Sequence, residues 1–380
     1  MQTPPSYLDN LTPLRGITAL LVAVYHFEDL MVRFVPDATS MFLGKCYLMV
    51  DIFFIMSGFI ITHVYQETFR HLLAVNAFKR FIRARFARIY PMHLFMLLVI
   101  VASFIATGSH STPIQDPKAI PTNLLLIHSF GIHNTFTWNV PSWSISAEWW
   151  CYICFPFIIL FLNSNKKIAI LVLFVFSLLG YLSIMYWLPR AGLYSQFGAS
   201  VPHDLNVTFD FGFIRGLSGF IAGMLLYKLY EMPSARKIFS ADWLFVIFAL
   251  AAIACMHFAV PDIYCIPLFA SIVICVACNS GVIHKAFQLR FLQLIGNISY
   301  SIYMLHVVVI FMIIETLNAF GIALPQAPHN DVPFWPGLLG CVGFLAIVII
   351  LSALTYRAIE RPCRDFLNRK SATVTSVSFV

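Results

Sequence analysis

Arg15 and His26 stand eleven residues apart in the apolar stretch LRGITALLVAVYH. On a helix turning about 100° per residue they fall within roughly 20° of one face, with a rise of roughly 16 Å between them. A guanidinium at one end of such a stripe suits an anion, and an imidazole at the other suits proton transfer. A histidine near the middle of a bilayer is costly without a partner or water, so the spacing predicts a polar cavity. Asp51, Glu148 and Arg215 each come early in an apolar run that enters from the His26 side, and should share that half of the membrane. Either carboxylate can orient an imidazole and stabilise its cation.

The run FKRFIRARFARIYPMH supplies Lys79, Arg80, Arg83, Arg85 and Arg88. Anchoring on the cytoplasmic side accounts for a basic run of this kind. The sharper reading is an anion site. Arg85 and Arg88 share a helix face, and with Arg15 and Arg83 they can take the phosphates of a long ligand whose arm rises to His26.

In WNVPSWSISAEWWCY, Ser144 and Glu148 lie four apart on one face and Ser146 lies off it. Trp138, Trp143, Trp149 and Trp150 equally suit an interfacial belt. Trp143, Ser144, Ser146, Arg215 and the His306 of SYSIYMLH complete the set as candidates to bind a second substrate. Ser57, Ser144 and Ser146 are alternatives as nucleophiles, each needing a base within hydrogen-bond reach. No HExxH or paired Cys/His spacing points to a metal, and no glycine-rich loop points to ATP or a nicotinamide. The pair in CVAC at 275–278 has no second pair, and cysteines inside apolar runs read as small packing residues.

The elements that must position these residues are membrane helices. Of the 380 residues, 60% are hydrophobic and 11% charged, against about a quarter charged in soluble domains. Ten runs long enough to cross a bilayer lie near 13–33, 41–65, 81–107, 143–162, 167–188, 209–230, 241–258, 262–279, 293–320 and 335–358. A shorter run, PTNLLLIHSFG, reads as re-entrant or interfacial. The net charge of +7 implies no nucleic acid if the basic residues collect on one side. With the N-terminus inside, only Arg33, Lys45, Lys118, Arg190 and Arg215 of the 24 basic residues fall on or toward the other side, which the positive-inside rule favours. The expectation is therefore an all-α integral membrane protein with about ten transmembrane helices and both termini cytoplasmic. It would be one domain over 8–366 followed by a short tail over 367–380. No secretory cleavage site is visible, so the first helix is expected to stay as an anchor.

RGITALLVAVYH, VDIFFIMSGFIITHVY, FIRARFARIYP, PSWSISAEWWCY, FIRGLSGFIAGMLL, LIGNISYSIYMLH and IERPCR together resemble, in this order, the signatures of the acyltransferase-3 family of membrane O-acyltransferases. The resemblance runs from about residue 8 to 366. It implies an acyl-CoA donor, usually acetyl-CoA, no metal, and acceptor hydroxyls on a cell-envelope polysaccharide or lipid-linked glycan, with lipopolysaccharide O-antigen first. It further implies His26 as the catalytic histidine, Arg15 as its motif partner, Arg85 and Arg88 as the donor-associated RxxR pair, and Asp51 and Glu148 as the acidic positions. The chain stops soon after its last helix, so the appended extracytoplasmic SGNH domain of two-domain members is expected to be absent. A bacterial inner-membrane location follows, with membrane lipids around a surface able to support a homodimer. The competing expectation is a transporter or flippase of a glycolipid or small anion, which would show broken helices in corresponding halves.

Overall fold

The computed structural model describes residues 8–107, 115–164, 166–188, 204–322 and 331–369; Arg190 lies outside them. The described residues are helical apart from turns and one isolated β-bridge. In chain order the helices are α1 (Leu11–Leu30), α2 (Met49–Tyr65), α3 (Val75–Thr107), α4 (Ile120–Leu124), α5 (Trp143–Ser164) and α6 (Lys166–Leu182). They continue as α7 (Gly212–Tyr230), α8 (Pro233–Phe239), α9 (Asp242–His257), α10 (Cys265–Cys278), α11 (Val282–Phe287), α12 (Arg290–Asn297), α13 (Ser299–Ala319), α14 (Phe334–Thr355) and α15 (Arg361–Arg369).

Each of the ten apolar runs is helical over most of its length, and the chain is a multi-pass membrane protein. Six helices among the described residues are long and apolar enough to cross a bilayer, or seven if α8 and α9, bent by 69°, make one span. The difference from ten has a physical reason. Helix α1 carries Arg15, Glu28 and Asp29, α7 carries Arg215 and Lys228, and α9 and α10 are only 16 and 14 residues long. The run 293–320 divides at Ile298 into α12 and α13, and the run 335–358 ends in a π-turn over Tyr356–Glu360.

The PTNLLLIHSFG segment folds inward. Its Leu126 carbonyl accepts from Ser146 Oγ at 2.6 Å and from Trp150 Nε1 at 2.9 Å, both on α5. Leu126 itself, at 1% exposure, holds the left-handed φ of 55° that reverses the chain there.

Two helix pairs are held by glycine. A Cβ on Gly58 of α2 would meet the Phe220 carbonyl oxygen of α7 at 1.9 Å, and one on Gly223 of α7 would meet that of Ile55 at 2.0 Å. Such approaches are how membrane helices gain dispersion contacts without a hydrophobic drive between them. Gly16 and Gly296 do the same for α1 and α12. Replacing Gly223 with leucine is therefore expected to cost at least the ~1–3 kcal/mol of an overpacked core. Thermal unfolding in detergent checks this, and an unchanged midpoint would refute the contact.

Candidate active site

A cavity of about 840 Å³, counting its open mouth, lies among α1, α2, α3, α5 and α13. Of this, about 130 Å³ is space that the centre of a water molecule can occupy. Arg15, Arg85 and Arg88 line it, with Glu148, Ser57, Ser144, Tyr152 and Tyr303. Three guanidinium groups against one lining carboxylate make it a place for an anion.

The arginines differ in what they are free to do. Arg88 is bound to Glu360, which is 1% exposed and also accepts from Ser301 Oγ at 2.8 Å. The π-turn at the end of α14 is what carries Glu360 inward, so the ion pair ties α3, α13 and α14 together. Among the described residues, Arg85 has no carboxylate as a hydrogen-bond partner. Its Nη2 lies 3.4 Å from Tyr65 Oη, its Nε is buried without a partner, and its guanidinium faces the rings of Tyr65 and Tyr152 at 5.4 and 5.8 Å. Of the RxxR pair, Arg85 is thus the one whose charge is left for a ligand. Arg83, expected beside them, is exposed and outside the lining. Two residues from Arg85 on a helix is about 200°, which turns it to the opposite face.

Glu148 stays in the cavity, where its Oε1 accepts from Ser57 Oγ at 2.8 Å and from Tyr152 Oη at 2.5 Å. Among the three serines weighed as nucleophiles, Ser57 alone reaches a carboxylate. Ser144 donates to the Pro141 carbonyl and Tyr303 Oη, at 3.1 and 2.8 Å, and lines the cavity. Ser146 is buried against Leu126 and Ser129, away from it.

Asp51 and Arg215 were expected beside His26; the structure commits them to each other. Arg215 Nη2 donates to Asp51 Oδ2 at 2.6 Å, and Tyr181 Oη donates to Asp51 Oδ1 at 3.3 Å. The same guanidinium donates to the Tyr47 and Val207 carbonyls and faces the Trp143 ring at 5.5 Å. Asp51, Arg215 and Trp143 are all buried, and none lines the cavity. They lock α2, α5, α7 and the 204–208 loop. An anionic orienter for His26 is not found in Asp51, and Glu148 bonds elsewhere.

His26 meets another histidine. Its Nδ1 is 3.1 Å from His306 Nε2, with the rings 4.9 Å apart and tilted by 53°. His306 is fully buried and His26 is partly exposed. The cavity lining includes Arg15 but not His26. Tyr303, a lining residue, has its ring edge-on to Phe53 at 5.8 Å and 5.7 Å from that of His306.

Several residues of this site escaped the sequence reading. Tyr300 is one of them; SYSIYMLH had already offered His306, with Tyr303 as a partner, and Tyr300 lies three residues before Tyr303 on the same helix. Glu360 sat in a recognised motif with no role attached. His93 and His128 stack at 5.9 Å behind the site, and no local pattern marks them. His128 Nε2 lies 3.1 Å from Ser142 Oγ in the turn before α5, and Asn139 of that turn donates to the Met304 carbonyl, bracing α13.

The model of the acyltransferase domain of the acyltransferase-3 family matches residues 8–357. The acyltransferase MdmB of Streptomyces mycarofaciens is 24% identical over 97% of this chain and 95% of its own length. The O-acetyltransferase OatA of Staphylococcus aureus is 22% identical over 95% of this chain, which spans 58% of OatA. "Protein 2 in picA locus" of Rhizobium radiobacter is 35% identical over 30% of this chain and 56% of its own length. No solved structure matches. A cationic cavity among apolar helices, a pair of histidines beside it and a family match across nearly the whole chain converge: this protein belongs to the acyltransferase-3 family of membrane acyltransferases.

Proposed function

We propose that the protein is an O-acyltransferase that moves an acyl group, acetyl first, from acyl-CoA to a hydroxyl of a cell-envelope glycan, lipopolysaccharide O-antigen first. The observation that carries this reading is the cavity whose charge is left open at Arg85 and whose lining residue Tyr303 packs against His306, the ring that meets His26. Family membership favours transfer over the transporter reading. The donor site would be formed by Arg85 and Arg15 on the phosphates, with the pantetheine arm running along Ile60, Met56 and Phe53 toward His26. We place the protein in the bacterial inner membrane with both termini and the Arg85 mouth of the cavity facing the cytoplasm, where CoA is made.

In the transfer step, His26 takes the proton of the acceptor hydroxyl while the oxygen attacks the thioester carbonyl carbon. The carbon–sulfur bond breaks, and the CoA thiolate leaves with the proton that His26 returns. One ester forms, one thioester is lost, and no net proton is consumed.

The test is incorporation of label from acetyl-CoA into an alkali-labile glycan fraction by membranes bearing the protein, against empty membranes. Label above background supports the reading; none, with donor and glycan both supplied, removes it. Arg85→Ala should raise the KM for acetyl-CoA by about tenfold or more, the loss of one charge-assisted contact of ~1.5–3 kcal/mol, with kcat little changed. An unaltered KM would take Arg85 out of the donor site.

A further inference from the structure

We infer that His306 is a positioning residue for His26: it accepts from the protonated nitrogen of the His26 ring and so leaves the other nitrogen bare for the substrate. The inference rests on the reading of His26 as general base.

The argument starts at two backbone carbonyls. A carbonyl oxygen only accepts, so a ring nitrogen bonded to it must carry hydrogen. His306 Nδ1 lies 3.2 Å from the Ile302 carbonyl oxygen, one turn back on α13. That nitrogen therefore donates, and in a neutral ring Nε2 is left with a lone pair. The lone pair side faces His26 Nδ1 at 3.1 Å. His26 Nδ1 is in turn 3.0 Å from the Val22 carbonyl oxygen, so it too carries hydrogen and shares it between Val22 and His306. The nitrogen left bare on His26 is Nε2. Each ring fixes the next, and the series begins at backbone that cannot turn without unwinding α13.

The burial pattern fits the roles. The fixing ring is 0% exposed, and the ring that must meet substrate is partly open. The stretch that holds His306 is braced from two sides. Tyr303 Oη accepts from Ser144 and donates to the Pro141 carbonyl, and Asn139 Nδ2 donates to the Met304 carbonyl.

Chemistry explains why an imidazole stands where other hydroxyl-activating sites place a carboxylate. As His26 Nε2 takes the proton, positive charge spreads over its ring and the Nδ1–H bond to His306 strengthens. A carboxylate would give more stabilisation, but at bilayer depth it would hold an expensive charge throughout the resting state. A neutral acceptor orients the base without that standing cost.

The experiment compares His306→Phe, His306→Gln, His26→Ala and the His26→Ala/His306→Phe double variant in the full-length protein, by initial rates of labelled acetyl transfer. Should the phenyl side chain prevent folding, as judged by thermal unfolding in detergent, His306→Met stands in for it alone and in the double. His306→Phe is expected to lower kcat by roughly 10²-fold or more, within the range of general-base catalysis, with the KM for acetyl-CoA unchanged. His306→Gln, whose amide oxygen accepts from His26 Nδ1, should recover most of the lost rate. In the His26→Ala background the second substitution should cost nothing further, as for residues that act as one unit. The inference is overturned if glutamine is as impaired as phenylalanine, if the two losses multiply, or if His306→Phe runs at the wild-type rate while His26→Ala is inactive. In that last case the general-base reading stands without it. A fully active His26→Ala would instead remove the general-base reading, and this inference with it.

Discussion

His26→Ala lowers kcat for acyl transfer by ~10²–10⁴-fold, the contribution of a positioned general base, and leaves the KM for acetyl-CoA where it was. The second half of that expectation is specific to this geometry. His26 is outside the cavity lined by Arg15, Arg85 and Arg88, so its removal takes nothing from donor binding. The fold should tolerate the change as well. The ring is partly exposed, and its two polar contacts are to a carbonyl and to His306. Initial rates on matched amounts of folded protein decide the matter. Transfer at the wild-type rate would mean that the base lies elsewhere, and Ser57 with Glu148 would then be the place to look.

The second large effect is on stability. Arg215→Met leaves Asp51 buried at 0% exposure with its cation gone, and breaking a buried pair from one side costs about 3–5 kcal/mol. For a membrane protein in detergent that is enough to abolish a folded fraction. Removing both charges is a different operation, because well-packed apolar residues often replace a buried ion pair at little cost. Asp51→Leu with Arg215→Met should therefore recover much of the unfolding midpoint lost by Arg215→Met alone, and should retain transfer activity. A double variant that folds but transfers nothing would restore Asp51 or Arg215 to the chemistry.

Much of this site could be read in the chain. The eleven-residue spacing of Arg15 and His26 and the three-residue spacing of Arg85 and Arg88 each rest on one helical period, and both survive into the structure as shared helices. Arg83 was legible too, and misread: its offset of two from Arg85 already turned it away. What could not be read were pairings across helices. Asp51 and Arg215 are each costly alone, and each looks functional until the other is found 164 residues away. Glu360 depends on a π-turn that re-aims one side chain at the end of α14, and no local pattern announces it. The same holds for His26 and His306, separated by 280 residues. The number of apolar runs was plain, but their roles as spans were not, because α9 and α10 are short and α1 and α7 carry their own charges.

Phe53 and Tyr303 have a consequence for the cell as a whole. A bilayer keeps its ion gradients only if no wet path joins its two sides, and this chain brings a charged cavity close to a partly exposed histidine able to carry protons. Phe53 and Tyr303, packed edge to face at 5.8 Å, both line that cavity, and Tyr303 also packs against His306. Apolar constrictions of this kind exclude water and ions. Under the proposed function, an aromatic lining of this kind would keep the path of the acyl group drier than a path for ions, so that transfer need not short-circuit the bilayer.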